Sequence, residues 1–85
     1  MTDENKKIGE ITHYFGDIGV AIIEVSEPLE IGDEVRIVGG ENTDFTQQIK
    51  AMEVDHEEIE KASAGQEVGV KVREKVREGY EVYKA

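Results

Sequence analysis

Four cations recur on alternate residues near the C-terminal end: Lys71, Arg73, Lys75 and Arg77. Side chains two apart in an extended chain share a face. The spacing therefore predicts one basic stripe opposite Val70, Val72 and Val76, along which phosphates could lie. The plainer reading is a solvated strand face that bends at Glu74. His13, Tyr14 and Phe15 are a second candidate, because a histidine and an aromatic ring at a hairpin tip can stack on a nucleic-acid base. Five aromatics in 85 residues barely furnish a core, so alternate members of this run are also expected inside. A third candidate is Asp55-His56-Glu57-Glu58 with Glu53 nearby, donors a metal could gather. Adjacent side chains in a loop face different ways, so the expectation is a solvated acidic loop, with no metal and no cofactor.

Catalysis is not expected. Ser26 and Ser63 are the only serines and His13 and His56 the only histidines, with no nucleophile elbow or spaced triad around them. No G-x-x-x-x-G-K-[ST] phosphate loop is present, so no GTP binding is expected. The absence of cysteine removes disulfides and thiolate chemistry and fits a reducing compartment. The polar start, MTDENKK, lacks the apolar stretch of a signal peptide, and the longest apolar run, Ile18 to Ile23, is too short to span a bilayer. These features predict a cytoplasmic, non-membrane protein.

Lys and Arg total 10 against 20 Asp and Glu, a net charge of −10 that opposes general affinity for nucleic acid. The excess is uneven. Residues 1–67 hold 5 basic and 17 acidic residues, net −12, and residues 68–85 hold 5 basic and 3 acidic, net +2. The basic end is the one electrostatic lead toward RNA or the ribosome.

The elements that must position these residues are short strands and tight turns. A flexible segment over 1–7 precedes a single domain over 8–85. Ile8 to Phe15 and Ile18 to Val25 flank Gly16-Asp17, the spacing and chemistry of a two-residue hairpin. Pro28 lacks an N–H and breaks the ladder, and Gly32-Asp33 turns into Glu34 to Val38 with Val35 and Ile37 inward. A longer strand runs from about Thr43 to Val54, then a loop or helical turn from Asp55 to Ala64. Strands at Val68 to Val72 and Tyr80 to Lys84 complete the chain. About six strands without helical periodicity predict an all-β fold, a small closed antiparallel β-barrel, because closure removes exposed edges.

The hairpin poses a problem of cover. A half-buried strand alternates apolar with polar residues, yet Ile18, Val20 and Ile22 lie on one face and Ala21, Ile23 and Val25 on the other. One set fills the core. The other, taken as Ala21, Ile23 and Val25 or as Ile18, Val20 and Ile22, needs the 55–64 loop, a second copy or a protein partner.

Several stretches resemble a known family. IGDEVRIVG at 31–39 and AMEVDHEEIEKASAGQEVGV at 51–70 resemble the β-barrel second domain of translational GTPases such as elongation factor Tu. Ala64-Gly65 and Val68-Gly69-Val70 fall at its A-G-x-x-V-G-V pattern, and Val76-Arg77-Glu78-Gly79 is similar to its closing turn. That resemblance implies a freestanding, non-catalytic binding module meeting RNA, the ribosome or a translation-related protein. The family usually carries a glycine and then a basic residue where this chain has Ile23-Glu24. The ITHYF hairpin is also similar to the C-terminal barrel of collagenase-like peptidases, which implies a protein-interaction accessory domain without catalytic machinery.

Overall fold

The computed structural model describes residues 6–85. The apolar alternation resolves into ten strands: β1 (Lys7–Phe15), β2 (Val20–Val25), β3 (Leu29–Glu30), β4 (Glu34–Gly39), β5 (Thr43–Gln48), β6 (Met52–Val54), β7 (Glu57–Ile59), β8 (Lys61–Ala62), β9 (Glu67–Lys71) and β10 (Glu81–Lys84). The fold is all-β, with no helix among the described residues and therefore none long and apolar enough to cross a membrane. Of the flexible segment expected over 1–7, residues 1–5 lie outside the described residues. Lys6 accepts a backbone hydrogen bond from Lys84, and Lys7 opens β1.

Eight strands form one antiparallel sheet in the order β5-β4-β10-β1-β2-β9-β6-β7, and β3 pairs with β8 separately. This corrects the expected closed barrel of about six strands: the ladder is open and ends at β5 and β7. The cause lies in the stretch read as one strand from Thr43 to Val54. It breaks at Ile49, whose N–H donates to Asp33 and whose carbonyl accepts from Gly32. The chain there leaves its pairing with β4 and enters a pairing with β9. The gap beside β5 is bridged by a side chain. Gln47 donates its amide to the Lys71 carbonyl at 2.9 Å and accepts the Arg73 N–H at 3.0 Å.

The core draws on nearly every strand. Ile11, Ile23, Val35, Ile37, Val68 and Val82 are fully buried, and no polar or charged side chain is buried with them among the described residues. Burying each such side chain contributes about 1.5–3 kcal/mol. The 55–64 segment, expected as a loop or helical turn, instead forms β7 and β8. Asp55 and His56, with φ of 52° and 67°, make the two-residue turn that joins β6 to β7.

The first hairpin departs from expectation twice. Its connection is a four-residue loop over 16–19 rather than a Gly16-Asp17 turn, closed by Gly19 at φ 69° donating to Phe15 O at 2.9 Å. The register also shifts between Ile11 and His13, leaving Thr12 as a bulge residue. Gly32 and Gly65 hold the positive φ expected of turn glycines, 98° and 94°.

Close approach falls to Gly39 and Gly9. A Cβ on Gly39 would enter the ring of Tyr80, and one on Gly9 would lie 2.8 Å from Ile23 Cγ2. At Gly69 the nearest atom, Val20 Cγ1, would stand at an ordinary 3.5 Å. Gly39→Ala is expected to cost about 1–3 kcal/mol by urea denaturation, and Gly69→Ala to stay within about 0.5 kcal/mol. Equal losses would contradict this packing.

Candidate functional site

Cross-strand partners share a face, so the register states which side chains meet solvent. Ile11 pairs with Ile23, and Tyr14, beyond the bulge, pairs with Ala21; these point into the core. Ala21, Ile23 and Val25, the expected protein-interface set, are at most 1% exposed. They are core residues and cannot contact a partner. The alternative set is the outer one, with Ile18 lifted out of the strand into the loop.

Three cross-strand rows define that outer face. Phe15, Val20 and Lys71 form one; His13, Ile22, Gly69 and Glu53 the next; Glu81, Glu10, Glu24 and Glu67 the third. Gly69 supplies part of the missing cover. With no side chain of its own, it lets Val20 and Ile22 close over it, and both are half-buried. Phe15 at 44% and Ile18 at 62% exposure stay uncovered, with His13 tilted against Phe15 at 4.5 Å between ring centroids. The 55–64 segment does not reach them. Its one large apolar residue, Ile59, pairs with Met52 and packs on the core.

The glutamate row is neutralised at one end only. Lys7 lies 3.2 Å from Glu10 and 3.3 Å from Glu81, and these hydrogen bonds raise the Lys7 pKa. Glu81 is held below the usual carboxylate range, first by the Tyr83 hydroxyl and then by Lys7. Among the described residues no cation lies within ion-pair distance of Glu24 or Glu67; Glu67 has the Thr12 hydroxyl at 3.3 Å.

The basic stripe is not brought together as a strand face. Lys71 ends β9, and residues 72–80 are irregular, pinned by buried Val72 and Val76. Arg73 lies over the Phe45 ring at 5.9 Å and beside Glu74 at 3.8 Å, while Lys75 and Arg77 are exposed. His13 and Tyr14 are likewise parted by the pleat: His13 faces out, 3.3 Å from Glu78, and Tyr14 packs inward. A groove of about 360 Å³ lies elsewhere, between Ile31, Met52 and Ile59. Sequence reasoning missed the glutamate row, because residues 10, 24, 67 and 81 become neighbours only through strand order.

Comparison with known proteins places this geometry. Residues 3–80 match the Peptidase family U32 C-terminal domain. The chain is 36% identical over 77 residues to an uncharacterized protease of Methanocaldococcus jannaschii and 33% identical over 84 residues to a collagenase of Porphyromonas gingivalis. The matches take in 91% and 98% of this chain but 19% and 23% of those proteins, so the chain spans about a fifth of the curated relatives' length. Two crystal structures of the C-terminal domain of a Geobacillus thermoleovorans protein assigned to the U32 peptidases superpose with TM-scores of 0.88 and 0.87. Identity is 27% and 25%; the matches cover 93% and 100% of this chain and 99% and 97% of those.

These matches overturn the translation-factor reading in favour of the collagenase-like resemblance. The structure supplies a physical reason: Ile23 is core, and Glu24 puts a carboxylate where the translation family carries a cation. Ile23→Ala is expected to cost about 2–4 kcal/mol in thermal or urea unfolding, and Ile18→Ser less than about 0.5 kcal/mol. The reverse order would contradict the assignment of the two faces.

Proposed function

Because this chain belongs to the peptidase family U32 C-terminal domain family, we propose that it is a non-catalytic protein-docking module of a U32-type peptidase. The observation that carries this reading is the outer face of β1, β2 and β9. Phe15 stands exposed beside half-buried Val20 and Ile22, a contiguous apolar patch on adjacent rows, and Ile18 is exposed in the loop that adjoins it. Single exposed apolar residues are ordinary, whereas a contiguous patch marks an interaction surface.

The groups that hydrolysis would need lie on separate elements. His13 is on the outer face of β1, His56 in the β6–β7 turn, Ser26 in the bend after β2 and Ser63 in the turn before β9. In this reading the peptidase body supplies the chemistry and this domain supplies attachment. The sheet serves as a barrel-like body whose open side is tied by Gln47, in a reducing, cytoplasmic setting that the lack of cysteine fits.

The test is a binding titration between this domain and the source organism's own U32 peptidase body, prepared without any copy of the domain. Phe15→Ser/Ile18→Ser is expected to keep the circular dichroism spectrum and Tm of the wild type while weakening binding at least about tenfold, as loss of central apolar anchors does. Undiminished binding by the folded double variant would remove the patch from the interface.

A further inference from the structure

The glutamate row adds a chemical specification to the apolar patch. Glu81, Glu10, Glu24 and Glu67 stand abreast on β10, β1, β2 and β9, one carboxylate per strand. Neighbouring strands are about 4.8 Å apart, and like charges directly opposite one another destabilise a sheet. Lys7 offsets the first two. Glu24 and Glu67 are exposed side by side with no cation at hand among the described residues.

The row and the patch belong to one surface. Glu24 lies two residues from Ile22 along β2, and Glu67 lies two from Gly69 along β9. At the opposite end of the same face stands Lys71, cross-strand from Val20. The face therefore runs from the glutamate row, through His13, Ile22, Gly69 and Glu53, to Phe15, Val20 and Lys71, acidic at one end and singly basic at the other. A second copy is a poor occupant: each chain carries a net charge of −10, and among the described residues Lys71 is the one Lys or Arg on this face not already paired with the row. In the curated relatives this domain makes up 19% and 23% of the polypeptide, so a much larger peptidase body is the protein mass joined to it.

Resting on the docking function proposed above, we infer that the occupant of this face is the peptidase body, and that the body presents a strip of Lys or Arg side chains to Glu24 and Glu67 beside an apolar seat for Phe15 and Ile18. The cation strip supplies the charges the row lacks, and Lys71 at the far end fixes which way round the body sits. Complementary charge of this kind steers encounter and sets register.

The experiment uses the isolated domain, since the Geobacillus thermoleovorans relative crystallises as its C-terminal domain alone. The U32 peptidase body of this chain's own source organism, freed of any copy of the domain, is titrated at about 50 and 500 mM NaCl; the Debye length falls severalfold across that range. Expected is a Kd that rises with salt and rises at least tenfold in Glu24→Lys/Glu67→Lys. Glu41→Lys/Glu60→Lys, which makes the same change in net charge away from this face, is expected to leave the Kd within about twofold. Glu24→Gln/Glu67→Gln keeps the fold under test if the reversal unfolds. It is expected to weaken binding several-fold while leaving the Tm of the free domain unchanged or a few degrees higher.

Binding that ignores salt and both Glu24/Glu67 variants would overturn the cationic strip and leave the docking function standing. Absence of binding by the wild type at low salt would overturn both. A dimer of the domain alone, by sedimentation, that Phe15→Ser/Ile18→Ser dissolves would give the face to a second copy and overturn the assignment to the body.

Discussion

Thr12, one residue in excess of the β1 ladder, decides which side chains of the first hairpin meet the core. Side chains alternate with period two, so an inserted residue reverses every face beyond it. Before the bulge Ile11 points in, opposite Ile23. Beyond it Tyr14 points in, opposite Ala21, and His13 and Phe15 turn out over Ile22 and Val20. Were Thr12 paired in regular alternation instead of bulged, His13 and Phe15 would compete for the interior and Tyr14 would face water. The core, the outer apolar patch and the position of the glutamate row relative to it all follow from this step in register.

The rest of the fold preserves that arrangement with few parts. Residues 79 and 80 clasp Ile11 through two backbone hydrogen bonds, and the Tyr80 ring lies on bare Gly39, which fastens the end of β4 to the strand region beside β1. Gln47 reaches across the open side of the sheet to Lys71 and Arg73, placing a side-chain amide where a neighbouring strand would put its backbone. Arg73 is thereby drawn onto Phe45, and the cations beyond β9 are scattered rather than aligned. Farther along the same outer surface Arg36 forms a two-toothed pair with Asp44 at 2.8 and 2.6 Å, across the β4–β5 pairing, and Tyr83 donates to Glu81 at 2.7 Å. The β4–β10 part of that surface satisfies its own charges; the part over β2 and β9, with Glu24 and Glu67, does not.

The all-β class, the inward Val35 and Ile37, and the positive φ of Gly32 and Gly65 were legible because each rests on local pattern or local backbone chemistry. The bulge was not. In Ile11-Thr12-His13-Tyr14 nothing local marks which residue is left unpaired, and with both faces of 18–25 apolar the choice of inner face stayed open. Gly16-Asp17 fits a two-residue turn, which puts Ile18 in a strand, yet Gly19 takes the left-handed position and moves the turn onward. The basic stripe assumed an extended chain past Val72, where Val76 instead dips into the core. The glutamate row depends on strand order and register, which are non-local and leave no mark in any one segment. The ITHYF hairpin, the weaker of the two resemblances in extent, pointed to the right family.

The central claim is that the face of β1, β2 and β9 is the one covered when the domain is joined to its peptidase body. Backbone amide chemical-shift mapping of the labelled domain, free and with the body added, tests this directly. The predicted result is a continuous set of perturbed amides at His13, Phe15, Ile18 to Ile22, Glu24, Glu67, Gly69 and Lys71, with the β4–β5 face around Arg36 and Asp44 unmoved. Perturbation centred on Arg36 and Asp44, or on the groove between Ile31 and Ile59, with the first hairpin unchanged, would contradict it.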